Sequence, residues 1–314
     1  MSRISIIGNL GLDVVAAPVD RLPDPGAEVL IDRIGVRPGG GAGNTAMALA
    51  ALGTPHELYG SLGDDAVARL VTDLLMRAHA DCSHLIKVPD CPTSVTIAVE
   101  SQQRDRGFMA TEAHLLHYRR ESIPDEALTA DLVLFTGYFN TPALQGPPTA
   151  DLLRTIRAHH GRTLFDPGSD QDGWKPGTRH QLTALLPLVD VFLPNAQELA
   201  VLGGSNDPWE AAKSLQELSG GWIIAKLGPD GCIAVGPGEG FAVATREVTA
   251  ADTTGAGDCF NAGLVDGLAN RLSWVESARL ATILATEATA RASADRHISR
   301  AELLRLRQRL DLGE

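Results

Sequence analysis

The stretch Ala251-Asp252-Thr253-Thr254-Gly255-Ala256-Gly257-Asp258 places small residues and a carboxylate directly before an apolar, helix-like run from Phe260 to Leu272. Glycine permits backbone angles closed to other residues and lets a ligand approach the main chain. The first N–H groups of a helix have no acceptor inside it and carry partial positive charge. The amides of Gly255, Ala256 and Gly257 are therefore a candidate cradle for a phosphate or a developing oxyanion. Asp258 falls in the first helical turn beside them. A carboxylate does not bind an anion, so its task there would be to take a proton from a group next to one. An acceptor hydroxyl attacking a phosphoryl group fits that need. The structural alternative is an acid compensating a helix dipole behind an ordinary glycine turn.

A second group lies between predicted strands. Pro194-Asn195-Ala196-Gln197-Glu198 follows the apolar run Val189 to Leu193. Asn195 and Glu198 satisfy capping-box spacing at a helix start. The same two residues share one face and are candidates to hold hydrated Mg²⁺, which prefers a few carboxylate contacts plus waters. Lys226-Leu227-Gly228-Pro229-Asp230-Gly231 closes a further strand with a turn. Lys226 is either a phosphate-neutralising charge or a solvated lysine. Gly41-Ala42-Gly43-Asn44-Thr45-Ala46 fits Gly-x-Gly-x-x-Ala, a dinucleotide-binding pattern. It does not follow the first strand tightly, however, and no strand-ending acid appears about 20 residues on. A Walker-type Gly-x-x-x-x-Gly-Lys is absent from the sequence.

The elements that must position these residues follow from hydrophobic periodicity. Ile4 to Ile7 predicts a buried first strand, with Asp13 within a few residues of its carboxyl end, where open α/β sheets place ligands. The proline-bearing stretch from Pro18 to Pro38 predicts an irregular excursion with an exposed strand pair. Small residues lead into a helix that ends at Gly53. His56 to Tyr59 reads as a strand, Gly60 to Asp65 as turn and cap, and Ala66 to Ala80 as a helix. Thr93 to Glu100 and Gly107 to Met109 read as a hairpin in a small side sheet. From Leu132 onward strands at 132–136, 163–165, 189–193 and 222–227 alternate with helices near 149–160 and 176–187, which predicts right-handed crossovers and a parallel sheet. Residues 231–235 and 241–244 predict a closing hairpin. The chain then ends in helices over 256–272, 274–292 and 300–310.

Composition narrows the class. The chain has 314 residues, long enough for a sizeable core. Its 27 Lys and Arg against 39 Asp and Glu give a net charge of −12, which opposes binding to nucleic acid or to an anionic membrane surface. No apolar run approaches the roughly 20 residues needed to span a bilayer, and the N-terminus has no secretory pattern. The four cysteines show no zinc spacing and no Cys-x-x-Cys pair, so reduced thiols in the cytoplasm are expected.

Asp252-Thr253-Thr254-Gly255-Ala256-Gly257-Asp258 closely resembles the C-terminal signature of the ribokinase-like (PfkB-type) carbohydrate kinases. The resemblance extends over most of the chain, through the Gly40, Asn44, Ala46 block, Gly60-x-x-Gly63-Asp64, Asn195-x-x-Glu198 and the Leu227-Gly228 turn. It implies one kinase domain over 1–314 with a three-layer α/β/α fold, a mostly parallel central sheet and a small β-sheet lid drawn from about 12–37 and 91–111. It also implies ATP-dependent phosphorylation of a hydroxymethyl group on a sugar or sugar-like substrate. Asp258 would be the general base and the Gly255, Ala256 and Gly257 amides the anion hole. Asp13, Gly40, Gly41 and Asn44 would bind substrate hydroxyls. Asn195, Lys226, Gly228 and Gly231 would serve the nucleotide, and Glu198 would hold Mg²⁺ through water. Asp252 and Thr254 would contribute to a monovalent-cation (K⁺) site, and the lid would form a homodimer contact.

Two positions depart from the family pattern. Asp166-Pro167-Gly168-Ser169-Asp170 stands where many relatives carry Asp-x-Asn-x-Arg, and Glu112-Ala113-His114 stands where relatives often have Gly-Ala-Asn. His114 would either face substrate or lie on the surface. An adenosine-type nucleoside kinase is the rival within the family, and the low aromatic content of 4% favours the sugar over a stacked base. An NAD-dependent dehydrogenase and a non-catalytic sugar-binding protein are the rivals of other classes.

Overall fold

The computed structural model describes residues 2–19, 21–99, 107–171, 173–291 and 296–311. The first half runs Ile4–Gly8 (β1), Gly11–Ala17 (β2), Arg33–Gly39 (β3), Gly41–Ala51 (α1), Glu57–Gly63 (β4), Ala66–Arg77 (α2), Leu85–Val88 (β5), Val95–Val99 (β6) and Gly107–Ala110 (β7). Next come Leu132–Thr136 (β8), Pro147–Ala158 (α3), Arg162–Asp166 (β9), Pro176–Thr183 (α4), Val191–Phe192 (β10), Ala196–Gly203 (α5) and Pro208–Ser219 (α6). Trp222–Lys226 (β11), Cys232–Gly236 (β12), Glu239–Val243 (β13), Ala256–Ala269 (α7), Trp274–Ala290 (α8) and Arg300–Asp311 (α9) complete the order.

Among the described residues, nine strands form one sheet in the order β13-β12-β11-β10-β9-β8-β1-β4-β5. Every neighbouring pair from β11 to β5 is parallel, and the β11-β12-β13 meander is antiparallel. The strands are short and almost wholly apolar because helices cover both faces. Successive side chains divide between two cores. Ile6, Leu134, Leu164 and Ile224 pack with α1, α7 and α8, whereas Ile7, Val133, Phe165 and Ile223 pack with α3 and α6. α7 and α8 approach closely at Gly263, where a Cβ would lie 2.6 Å from the Ala281 Cα.

Among the described residues a second sheet of four strands, β3-β2-β6-β7, stands apart from the first. It is the expected lid, although residues 100–106 of the expected span 91–111 lie outside the described residues. The sheet order and register place Asp13 of β2 opposite Arg37 of β3 and Thr96 of β6.

Five expectations change. The strand pair expected within Pro18 to Pro38 is not formed there among the described residues: β2 ends at Ala17, and β3 starts only at Arg33. The Gly60–Gly63 segment is strand, not turn: β4 runs through it, and its glycines serve close packing, since a Cβ on Gly60 would meet the Leu10 Cδ1 at 2.4 Å. α1 begins at Gly41, so the glycines there are its first turn. β5 and α6 correspond to no expected element; α6 carries an ordinary start signal, with Asp207 accepting from the N–H groups of Trp209 and Glu210 ahead of Pro208. His114 is neither on the surface nor facing a substrate. It is fully buried, and its Nδ1 accepts from the Ser94 N–H at 2.9 Å, pinning the base of the lid strand β6.

Candidate active site

The carboxyl ends of β1, β8, β9, β10 and β11 meet the N-termini of α1 and α7 along one edge of the central sheet, the edge where open α/β sheets bind ligands. Gly255 caps α7 at φ 74°, a left-handed conformation that glycine adopts without strain. A Cβ there would lie 3.2 Å from the Asn44 Nδ2. Asp258 occupies the first turn of α7, half-buried, and accepts from the Asn44 Nδ2 at 2.9 Å. The Thr45 hydroxyl donates to its backbone carbonyl at 3.3 Å. Burial, then the Asp166 charge, push the Asp258 carboxyl up to about 7, against the Asn44 hydrogen bond and the charges of Lys226 and Arg296. A carboxylate that titrates near neutrality is suited to accept a proton and pass it on.

The cradle differs from the expected one in detail. The Ala256 N–H donates to the Thr253 carbonyl at 3.2 Å and closes a turn, which removes it from the set of amides free to meet a ligand. Gly257 stays in place, with its missing Cβ 3.6 Å from the Lys226 Nζ. The lysine is thus neither solvated nor remote. Its ammonium stands beside the opening of α7.

Gly40 and Gly41 pack the start of α1 against that of α7. Gly40 has φ 82°, and a Cβ on Gly41 would lie 2.4 Å from the Thr136 Oγ1 and 3.4 Å from the Asp258 Oδ1. The Gly41 N–H donates to the Asn9 Oδ1 at 3.0 Å. Asn9 and Thr136 thereby join the site; neither carried a sequence signal. The Gly41–Ala46 pattern follows β3 of the lid and sits within a helix, so the strand-turn-helix setting of a dinucleotide fingerprint is missing.

Asp13 lies on the lid, in contact with the backbone at Gly39, and burial raises its carboxyl to about 6 despite Arg37. The Arg37 Nε is 3.7 Å from the Asp13 Oδ2, while its Nη1 donates to the Asp252 Oδ2 at 2.7 Å. The lid is thus tied by one arginine to the loop that feeds α7. Asp252 also accepts from the Thr254 N–H at 2.8 Å and faces the Arg296 Nη1 at 3.6 Å. Burial opposes its charge, yet Arg37 and Arg296 hold Asp252 down to about 2. The Arg296 Nη2 donates to the Thr254 carbonyl. The Asp252 carboxylate and the Thr254 carbonyl, expected to serve a K⁺ site, here meet guanidinium groups of the chain.

On the far side of Asp258 the charges reverse. Asp166, at the end of β9, accepts on one oxygen from the Lys226 Nζ at 2.8 Å and from the Asn261 Nδ2 at 2.5 Å. Asn261 stands three residues after Asp258 on α7, so one helix face touches both carboxylates. Asn195 and Glu198 complete a capping box, with the Glu198 N–H on the Asn195 Oδ1 at 2.9 Å and the Asn195 N–H on the Glu198 Oε2 at 2.9 Å. Burial, then repulsion from Asp166, raise the Glu198 carboxyl far above its usual range. Burial also works against the Lys226 ammonium, but Asp166 and Glu198 outweigh it and raise its pKa. The described residues hold no cluster of three or more His, Cys, Asp or Glu shaped for a metal. The donor set nonetheless fits hydrated Mg²⁺, because one lysine leaves two buried carboxylates undercompensated.

The Leu227–Gly231 turn follows β11. The Leu227 N–H donates to the Gly231 carbonyl at 2.8 Å, Gly228 and Gly231 have positive φ, and a Cβ on Gly231 would lie 2.0 Å from the Val243 carbonyl oxygen. Val243 and Thr245 in turn line a cavity of about 610 Å³ closed by Thr282, Ile283 and Thr286 of α8. No sequence pattern marked that α8 wall. Among the described residues no helix is long and apolar enough to cross a membrane.

Known proteins share both sequence and fold with this chain. It is 30% identical over 262 residues to a fructokinase of Klebsiella pneumoniae, covering 81% of this chain and 82% of that one. It is 30% identical over 267 residues to an ATP-dependent ribose-1-phosphate kinase of Halopiger xanaduensis, covering 84% of each. A putative ribokinase II of E. coli, solved in complex with ATP and Mg²⁺, superposes with a TM-score of 0.85 at 20% identity over 98% of this chain and 100% of that one. Residues 1–299 match the pfkB family carbohydrate kinases as a whole. The chain, with its ribokinase-like central sheet and separate lid, belongs to the pfkB family of carbohydrate kinases, whose members here are sugar and nucleoside kinases.

Proposed function

We propose that this protein transfers the terminal phosphoryl group of ATP to a hydroxymethyl group of a sugar or sugar-like substrate, within one kinase domain spanning residues 1–314. The observation that carries the reading is Asp258, held by Asn44 at the opening of α7 with its carboxyl pushed up to about 7. Asp258 takes the proton of the acceptor hydroxyl as that oxygen attacks. The amides at the start of α7 around Gly255 and Gly257 meet the negative charge that develops on the transferred group. Lys226, beside Gly257, adds a full positive charge at the same place. Asn44, Asp13 and the backbone at Gly40 and Gly41 orient the acceptor hydroxyls from the lid side.

The Gly228–Gly231 turn and the cavity it adjoins offer the nucleotide a site. The ATP and Mg²⁺ named for the E. coli neighbour support that part of the reading. Glu198 would hold Mg²⁺ through water, and the ion would neutralise phosphate charge during transfer. ADP release measured across sugars and nucleosides tests the proposal. Turnover of a hydroxymethyl sugar that fails in Asp258→Asn supports it, and turnover that survives the substitution removes Asp258 from its role.

The lid also supports a homodimer. Val36, Val14, Ile97 and Met109 form one row across its four strands, on the face opposite Asp13 and Arg37. Val36, Ile97 and Met109 are 49%, 39% and 53% exposed, an apolar strip suited to cover by a second copy. Sedimentation of the purified chain decides between monomer and dimer.

A further inference from the structure

Asp252 and Thr254 sit in the loop that feeds α7, where both Asp252 carboxylate oxygens and the Thr254 carbonyl meet groups of the chain. One Asp252 oxygen accepts from the Thr254 N–H at 2.8 Å. The other faces two guanidinium groups, Arg37 at 2.7 Å and Arg296 at 3.6 Å. The Thr254 carbonyl accepts from the Arg296 Nη2. The Arg296 and Asp252 side chains are each only 3% exposed, so this contact is internal. A monovalent metal ion needs several oxygen ligands and a local excess of negative charge. Here Asp252 already faces two fixed positive charges, of which Arg37 is shared with Asp13, and a third cation placed against the same carboxylate would be repelled by both.

We propose that Arg296 replaces the monovalent cation in this protein: its guanidinium holds the Asp252 carboxylate and the Thr254 carbonyl, and so fixes the Thr253–Gly255 backbone at the opening of α7 without K⁺ or Na⁺. The effect on turnover rests on the phosphotransferase reading above; the place of the guanidinium does not. Arg296 is a positioning residue. It acts through Thr254 and Gly255 on the amides that follow them.

The test compares KCl, NaCl and choline chloride at matched ionic strength. In the unsubstituted protein the rate of ADP release and the melting midpoint of the unliganded chain are expected to be the same in all three salts. Tenfold activation by KCl, or a midpoint raised by KCl alone, overturns the proposal. Arg296→Met keeps an apolar stem and removes the charge. It is expected to melt lower and turn over at least tenfold more slowly in choline, with KCl restoring part of both. Loss that no monovalent salt restores, or no loss at all, contradicts replacement. If Arg296→Met fails to fold, the salt comparison on the unsubstituted protein still decides. If no acceptor turns over, the kinase reading fails while the melting comparison still tests Arg296.

Discussion

At the Asp252 end of the site two guanidinium groups meet the Asp252 carboxylate, one of them also facing Asp13, whereas at the Asp166 end one ammonium serves two carboxyls. The first end is saturated, charge against charge, and Asp252 is held down to about 2. At the second, burial and Asp166 drive Glu198 far up, so its carboxyl keeps a proton that a divalent cation would displace. Asp258 lies between them on α7, and the Asp166 charge is the main electrostatic influence raising it. The contrast separates two tasks. The saturated end is already neutralised and can only hold backbone in place. The undercompensated end is where an incoming divalent cation gains most, and it is the end that joins the Gly228–Gly231 turn.

Substitutions can break this contrast, beginning with the largest effect. Asp258→Asn leaves the packing of α7 intact but removes the proton acceptor, and kcat is expected to fall on the order of 10²–10⁴-fold. Steady-state ADP release measures that. Lys226→Met strips the one cation from the Asp166 end. Breaking a buried pair by removing one partner costs about 3 kcal/mol, so urea unfolding is expected to shift accordingly, alongside a loss in kcat on the order of 10²-fold from the missing charge beside Gly257. Unchanged unfolding would show that Asp166 and Glu198 do not depend on it.

Glu198→Gln preserves the shape of the capping box and removes the carboxyl that a divalent cation would ionise at the undercompensated end. The Mg²⁺ concentration for half-maximal rate is expected to rise about 10-fold, the size usual when a group behind a metal's own ligands is lost. An unaltered Mg²⁺ titration would return Asn195 and Glu198 to helix capping alone. Ile97→Lys, on the lid face opposite Asp13 and Arg37, is expected to dissociate a dimer while kcat changes by less than about 3-fold. A dimer that survives it in sedimentation would place the contact elsewhere.

Much of this was legible before any coordinates. The apolar runs at β1, β8, β9 and β11 announce themselves by composition, and the Asp252–Asp258 string marks both the turn and the base. Asn44 came with its glycine block. What stayed hidden depends on residues far apart in sequence. Asp166 meets Lys226 sixty positions away only because the parallel order β9-β10-β11 brings two strand ends to one edge. Arg37 and Arg296 carry no motif, and an arginine's long side chain reads the same whether it reaches water or a buried carboxylate. Gly60 and Gly63 misled because a glycine spared for close packing looks like one spared for a turn. The sequence leaves His114 open between substrate and surface, since only the fold shows that it anchors Ser94 at the base of the lid.

The central claim is that Asp258 is the base, raised toward neutrality by its place between the two ends. The pH dependence of kcat/KM tests it most directly, because that ratio reports the ionisations of the free enzyme. Above its pKa the carboxylate is charged and can accept a proton; below it the group is protonated and idle. An acidic limb is therefore expected to bend at about 7, to fall at least tenfold per pH unit below, and to move to lower pH on the order of one unit in Asp166→Asn as the repelling charge is removed. A profile flat from pH 5.5 to 8, or a limb that Asp166→Asn leaves unmoved, would contradict it.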